Sequence, residues 1–120
     1  MPKNAFVGMI LRVDKRQETA DFYAKLGLKF SEHRHDQGPM HHECTNFVDR
    51  PAMELYTRSK KFNFNTIMIQ VESLEQALND LATAYHLPWM VQTKDGIAFA
   101  YVKDPDGNNV MLLEYRDDNH

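Results

Sequence analysis

The chain has 120 residues, and its 14 basic and 17 acidic side chains give a formal net charge of −3 at pH 7. This length and a hydrophobic content of 42% are typical of one globular domain, here residues 1–120, and argue against disorder. The mild acidity gives no electrostatic reason to expect nucleic acid as a partner. No apolar stretch is long enough to span a membrane, and the first residues lack the apolar core of a secretory signal. We therefore expect a cytoplasmic protein.

An approximate internal repeat organises the sequence. Residues 7–13 carry apolar side chains at alternate positions, and so do residues 65–71. Each stretch is therefore predicted to be a strand with one buried face.

A helix is predicted after each of these strands. Ser73 and Gln76 have the spacing of a capping box ahead of the second helix, and Asp14 and Gln17 have it ahead of the first. Gly27 is a natural residue to end the first helix. The predicted buried face of the first helix consists of Thr19, Phe22, Tyr23 and Leu26.

Three strands are predicted to follow each helix. The turn signals between them are Gln37-Gly38-Pro39, Lys94-Asp95-Gly96 and Asp104-Pro105-Asp106-Gly107. The predicted strands are residues 28–35, 40–48, 52–57, 88–93, 97–103 and 109–115. Each half then has the order strand, helix, strand, strand, strand. A single ferredoxin-like split unit with additional elements is an alternative that explains the repeat less well.

This order, with the residues that carry it, resembles the vicinal oxygen chelate superfamily. Those residues are Leu11-Arg12-Val13-Asp14, Phe22-Tyr23, residues 26–30 (Leu-Gly-Leu-Lys-Phe), Met53-Glu54-Leu55, residues 104–108 (Asp-Pro-Asp-Gly-Asn) and residues 110–114 (Val-Met-Leu-Leu-Glu). The superfamily includes glyoxalase I, extradiol dioxygenases, fosfomycin-resistance enzymes and bleomycin-resistance proteins. The resemblance implies an α+β fold of two βαβββ modules, residues 5–57 and 63–115, whose mixed, curved sheets form a cup.

The resemblance also locates the usual metal ligands of the superfamily. Carried over residue by residue, they fall on Gly8, Glu54, Thr66 and Met111. Only Glu54 is a strong ligand, because glycine has no side chain, a threonine hydroxyl binds divalent metals poorly and methionine suits soft metals. We therefore predict no metal bound at these positions and no cofactor.

Strand alternation predicts which side chains line the cup. They are Gly8, Ile10, Arg12, Ala52, Glu54, Tyr56, Thr66, Met68, Gln70, Met111 and Leu113. An apolar lining with a few polar groups is typical of a small-molecule site. Arg12 suits an anionic group of a ligand. Glu54 is either a catalytic base or a carboxylate satisfied by Arg12 or Tyr56.

Four histidines lie within residues 33–42. If the hairpin turns about Gln37-Gly38 without a bulge, His33 opposes His42, and both lie on the cup face with His35. Two imidazoles across a ladder are close enough to share a metal. A solvated hairpin tip explains the same cluster, so metal binding there stays open, and His33 and His42 are kept as ligand-binding candidates.

Two functions fit these observations. The first is the binding of a small organic molecule without the standard metal site, as in bleomycin-resistance proteins. The alternative is a lyase or isomerase, similar to lactoylglutathione lyase, with Glu54 as base and a relocated metal allowed. The resemblance further implies a homodimer, for which Phe62, Phe64 and Trp89 are candidate contact residues. We expect neither nucleic acid nor membrane as a partner.

Overall fold

The computed structural model describes residues 3–34, 37–46, 53–85, 91–94 and 96–116. The chain divides into two compact units. The first unit is Val7–Thr66, and the second is Met1–Phe6 with Ile67–His120. That the two together form one domain stays a prediction. Among the described residues, neither helix combines the length and apolar character that crossing a membrane requires.

The order of elements is that of a repeated βαβββ motif. The elements are β1 (Ala5–Val13), α1 (Arg16–Ala24), β2 (Phe30–His33), β3 (His41–Cys44), β4 (Met53–Thr57), β5 (Thr66–Val71), α2 (Leu74–Tyr85), β6 (Gln92–Lys94), β7 (Ile97–Lys103) and β8 (Asn109–Glu114). The predicted α+β class and the repeated order of elements are confirmed.

The first unit has a mixed sheet with the strand order β2-β3-β4-β1. β1 and β4 are parallel, whereas β2 with β3 and β3 with β4 are antiparallel. Helix α1 contacts β3 and β4, and Ala20 is its buried residue. The face of the sheet toward α1 carries the buried side chains of His42, Cys44 and Leu55.

The start of α1 differs from the prediction. The helix begins at Arg16, after Lys15, whose side chain makes no capping hydrogen bond to the described residues. The carboxylate of Asp14 instead accepts a hydrogen bond of 3.0 Å from Arg58 Nη1. The predicted capping box at Asp14 is therefore wrong, because its carboxylate binds Arg58, which is distant in the sequence, and not the start of the helix.

Helix α1 ends near Gly27, as the sequence predicts. Gly27 has a φ of 97°, which glycine adopts without a steric cost. The Leu28 N–H donates to the Tyr23 carbonyl at 3.1 Å, as in a Schellman motif. The predicted buried face is wrong at Phe22 and Leu26, which are 60% and 68% exposed.

The second unit has the strand order β5-β8-β7-β6, with antiparallel pairing of β6 with β7 and of β7 with β8. Leu74 and Leu78 of α2 form a core cluster with Ala100, Val110 and Leu112. Apolar side chains at alternate strand positions therefore meet one stripe of the amphipathic helix.

Helix α2 begins as the sequence predicts, with one difference. The Ser73 Oγ accepts a hydrogen bond of 3.2 Å from the Gln76 N–H. The Gln76 side chain donates to Asp80 Oδ1 at 2.8 Å rather than back to Ser73. The Leu74 N–H donates to Glu114 Oε1 at 2.9 Å, so a carboxylate from β8 satisfies the helix start.

The turn between β7 and β8 is confirmed. The Gly107 N–H donates to the Asp104 carbonyl at 2.9 Å, and Gly107 has a φ of 87°. The Asp104 carboxylate accepts hydrogen bonds from the N–H of Asp106 at 3.0 Å and of Asn108 at 2.8 Å. The Asn108 side chain donates to the same carboxylate. This hydrogen bond is the largest cause of the lowered pKa of Asp104, and the backbone hydrogen bonds add to it.

Candidate functional site

One face of the sheet in the first unit carries side chains of opposite charge. Ile10 lies opposite Glu54, and Arg12 lies opposite Tyr56, in the parallel pairing of β1 with β4. Glu43 of β3 lies opposite Glu54. Because strand side chains alternate between faces, these residues share one side of the sheet. We call this side the site face, formed by Ile10, Arg12, His41, Glu43, Glu54 and Tyr56.

Two carboxylates on the site face converge on one imidazole nitrogen. His41 Nε2 lies 2.8 Å from Glu43 Oε1 and 3.8 Å from Glu54 Oε1. The His41 side chain is 1% exposed, and the two glutamate side chains are 16% and 15% exposed. Like charges held close together with little solvent repel each other unless a cation separates them. The arrangement therefore favours a positive charge between the two carboxylates.

The second ring nitrogen of His41 fixes the orientation of the imidazole. Nδ1 lies 3.2 Å from the Pro39 carbonyl oxygen. A carbonyl oxygen only accepts hydrogen bonds, so Nδ1 carries the hydrogen in this contact. Nε2, the atom that faces Glu43 and Glu54, lies 2.8 Å from Glu43 Oε1, so it either donates a second hydrogen to this oxygen or presents its lone pair to a cation.

Tyr56 connects the acidic and the basic ends of the site face. Its hydroxyl donates to Glu54 Oε1 at 3.3 Å, and its ring stacks on His41 with centroids 4.3 Å apart. Burial, followed by the Glu54 charge, raises the pKa of Tyr56, so the hydroxyl remains a donor at neutral pH. The Arg12 guanidinium lies 4.4 Å from the Tyr56 ring centroid and 5.0 Å from that of Phe62.

Comparison with known families identifies the fold. Residues 5–112 match the family described as the Glyoxalase/Bleomycin resistance protein/Dioxygenase superfamily. The chain belongs to this superfamily. The resemblance seen in the sequence is thereby confirmed. No curated protein sequence matches the chain.

Solved structures share the superfamily fold at low identity. A hypothetical protein from Bacillus halodurans C-125 has a TM-score of 0.70 and 14% identity, and the match covers 99% of both chains. Catechol 2,3-dioxygenase has a TM-score of 0.66 and 17% identity over 92% of this chain. The 2,2',3-trihydroxybiphenyl 1,2-dioxygenase of Sphingomonas wittichii strain RW1 has a TM-score of 0.66 and 16% identity over 96% of this chain. The match spans only 40% and 44% of the two dioxygenases.

The residues that the resemblance assigns to the usual metal positions of the superfamily are, apart from Glu54, poor donors for a metal. Gly8 is a buried glycine on β1, and Thr66 is 3% exposed at the start of β5. Met111 lies on β8 and is half-buried. Glycine offers no side-chain donor, and a hydroxyl and a thioether bind hard or borderline cations poorly, so the absence of a metal at these positions stays a prediction.

The structure corrects the predicted pairing of the histidines. His33 lies opposite His41, and Glu32 lies opposite His42. His42 is thus on the face of the sheet toward α1, where it is 4% exposed. Burial, followed by the charge of Arg16, lowers the pKa of His42. His33 and His42 therefore do not meet, and the predicted pair is wrong.

Four predicted residues of the first unit lie together on the site face: Ile10, Arg12, Glu54 and Tyr56. Met68 is buried on β5, and Gln70 donates from Nε2 to the Lys3 carbonyl at 3.3 Å. These two residues and Met111 belong to the second unit, and their share in a common cup stays a prediction. His35, Ala52 and Trp89 lie outside the described residues.

Sequence reasoning missed His41 and Glu43. The predicted hairpin is centred between Gln37 and Gly38, whereas the observed pairing of His33 with His41 centres it on Gln37. A shift of one residue moves every side chain of a strand to the other face. The sequence does contain a signal for these residues: His41 and Glu43 are two positions apart and so lie on the same face of a strand. With Glu54 on the neighbouring strand, this spacing allows three potential ligands on one face.

Proposed function

We propose that the protein binds a small organic molecule on the site face of the first unit. The observation that supports this proposal is a cationic group and two carboxylates on one face, with the Tyr56 ring between them. A half-buried face with a few polar groups and an apolar neighbour such as Ile10 is typical of small-molecule sites.

The charges define the class of ligand. The Arg12 guanidinium suits a carboxylate or phosphate, which it can bind with two parallel hydrogen bonds. Glu43 and Glu54 suit a hydroxyl or ammonium donor at the other end of the molecule. The Tyr56 ring offers a surface for an aromatic or aliphatic body. The expected ligand is thus a small polar acid that also carries a hydrogen-bond donor.

A fragment screen tests the binding proposal. Carboxylic acids with a hydroxyl or amino group are compared with the matched carboxamides in chelator-containing buffer, using NMR chemical shifts of the protein. We expect the acids to shift the amide signals of β1 and β4 around Arg12 and Glu54, and the amides to shift them less. Shifts that are equal for acids and amides, or confined to other strands, would contradict the proposal.

A second candidate function is proton transfer on the bound molecule, as in a lyase or isomerase. The observation that favours it is the position of Glu54, whose Oε1 lies near His41 Nε2 at 3.8 Å and accepts the Tyr56 hydroxyl at 3.3 Å. A carboxylate of this kind can remove a proton from the carbon next to a carbonyl and return it to the neighbouring atom. Arg12 would stabilise the negative charge that develops on the carbonyl oxygen.

Hydrogen exchange tests proton transfer without requiring a complete reaction. Small α-hydroxy aldehydes and ketones are incubated with the protein in D₂O, and loss of the C–H signal is followed by NMR. We expect exchange with the native protein and at least a roughly 100-fold slower rate with Glu54→Gln, since a general base contributes about 10²–10⁴-fold. Glu18→Gln, at an exposed position of α1, is the matched control. Equal exchange in Glu54→Gln would exclude Glu54 as the base.

A further inference from the structure

We propose that His41, Glu43 and Glu54 bind one divalent first-row transition-metal ion. This cluster lies on β3 and β4 of the first unit and shares only Glu54 with the usual ligand positions of the superfamily. The site shares Glu43 and Glu54 with the proposed ligand site, but metal binding does not depend on any organic ligand.

The donor atoms are already close to the spacing that a metal requires. Metal–ligand bonds of about 2.0–2.2 Å place neighbouring ligand atoms roughly 3.0–3.5 Å apart. His41 Nε2 lies 2.8 Å from one carboxylate oxygen and 3.8 Å from the other. One donor atom from each residue lies within 4.8 Å of the other two. Small rotations of the two glutamate side chains are therefore sufficient to surround an ion.

The backbone supplies the alignment of these donors. His41 and Glu43 are two positions apart on β3, so both side chains point to the same side. Glu43 and Glu54 are directly opposite in an antiparallel pair, which brings their side chains within a short distance. The three donors come from regular strands, which position ligands more firmly than an exposed loop does.

Neighbouring groups support the ligands in the way that bound metals usually require. Metal-binding histidines commonly donate their second ring N–H to a carbonyl or carboxylate, which fixes the lone pair toward the metal. His41 does so with the Pro39 carbonyl. Tyr56 stacks on the same imidazole and donates to Glu54. His33 Nε2 lies 3.7 Å from the outer oxygen Oε2 of Glu43.

The donor set indicates the kind of ion. One imidazole nitrogen and two carboxylate oxygens suit Zn²⁺, Fe²⁺, Co²⁺ or Mn²⁺ rather than a soft ion such as Cu⁺. Three protein ligands leave at least one coordination position for water or a ligand oxygen. The two carboxylates neutralise the charge of the ion.

Titration with Co²⁺ tests the site directly. The untagged protein is treated with a chelator, transferred to chelator-free buffer and titrated, with calorimetry and the visible Co²⁺ absorption bands as readouts. We expect one ion per chain. Glu43→Gln and Glu54→Gln should each weaken binding by about 100-fold or more, because loss of even a supporting partner costs 10–100-fold. Glu32→Gln, an exposed substitution on β2, should leave the affinity unchanged.

The alternative is an ion-pair network in which a proton on His41, and no metal, joins the two carboxylates. In that case Co²⁺ binds weakly or not at all, or binds equally well to Glu43→Gln and Glu54→Gln, and the proposal is wrong. Loss of binding in His33→Gln with retention in Glu54→Gln would also overturn it by indicating a surface site. Far-ultraviolet circular dichroism checks that each variant is folded. The fragment screen contains chelator, so failure of either proposal can be recognised separately.

Discussion

The Tyr56 ring lies almost parallel to the imidazole of His41, with centroids 4.3 Å apart and planes that differ by 10°. The hydroxyl of the same tyrosine donates to Glu54. One side chain therefore contacts two of the three potential metal ligands, one through its ring and one through its oxygen. The orientation of the acidic end of the site face should accordingly depend on both parts of Tyr56.

Two substitutions separate these parts. Tyr56→Phe keeps the stack and removes the hydrogen bond, so we expect a loss of unfolding free energy of about 0.5–1.5 kcal/mol. Tyr56→Leu also removes the stack, which should cost roughly 0.5–1.5 kcal/mol more. Urea denaturation at neutral pH measures both values. Equal stability of the two variants would show that the stack contributes nothing.

The elements that could be predicted from the sequence are those fixed by local interactions. Gly107 ends a tight turn because the backbone there needs a positive φ, and Ser73 accepts the N–H of a residue three positions later. Such contacts form between neighbours in the chain, so residue types at fixed spacing identify them.

The predictions that failed depend on contacts between distant residues. Asp14 has the residue type of a helix cap, but its carboxylate pairs with Arg58, 44 positions away. Whether His41 or His42 reaches the site face depends on the pairing register of β2 and β3, which alternation within one strand does not determine. Strand alternation therefore placed Ile10, Arg12, Glu54 and Tyr56 on one face, as the structure has them, but it did not place His41 and Glu43 there.

The lowered pKa of His42 predicts how stability changes with pH. Burial, followed by Arg16, lowers the pKa in the folded chain, so the unfolded chain takes up the proton first as the pH falls. The stabilisation that depends on a neutral His42 is therefore fully present above the pKa of histidine in the unfolded chain, about 6.5. It is lost as the pH falls below that value, until the folded imidazole is also protonated.

Removal of the imidazole should reduce this pH dependence. We expect His42→Leu to lose less stability than the native protein between about pH 7.5 and pH 5.5, as measured by urea denaturation. Leu78→Ala, in the fully buried core of the second unit, is a control that lowers stability without removing a titrating group. An unchanged pH dependence in His42→Leu would indicate that other groups cause it.

Substitutions of Gly107 test what the backbone conformation of the turn between β7 and β8 contributes to stability. A Cβ at this position meets nothing within 4 Å, but its φ of 87° is one that side chains rarely allow. Gly107→Ala should therefore cost about 1–2 kcal/mol of unfolding free energy through backbone conformation alone. Gly107→Asn should cost less, because asparagine tolerates this region better. Thermal unfolding of the two variants measures the difference, and a steric effect would instead make asparagine the worse substitution.

Arg12 is the residue through which the charge of the ligand can be tested. Its guanidinium lies over the rings of Tyr56 and Phe62, and a planar guanidinium can bind an anionic group through two parallel hydrogen bonds. Because a hydrogen bond to a charged group contributes roughly 1.5–3 kcal/mol, Arg12→Ala should weaken the binding of carboxylate fragments by about 10–150-fold. The matched carboxamides should lose much less. Arg12→Lys keeps the charge without the planar two-donor edge, so we expect an intermediate affinity for carboxylates. Calorimetric titration of the same fragment pair into all three proteins provides the comparison. An equal loss for acid and amide would show that Arg12 supports the structure of the site face and does not bind the anion.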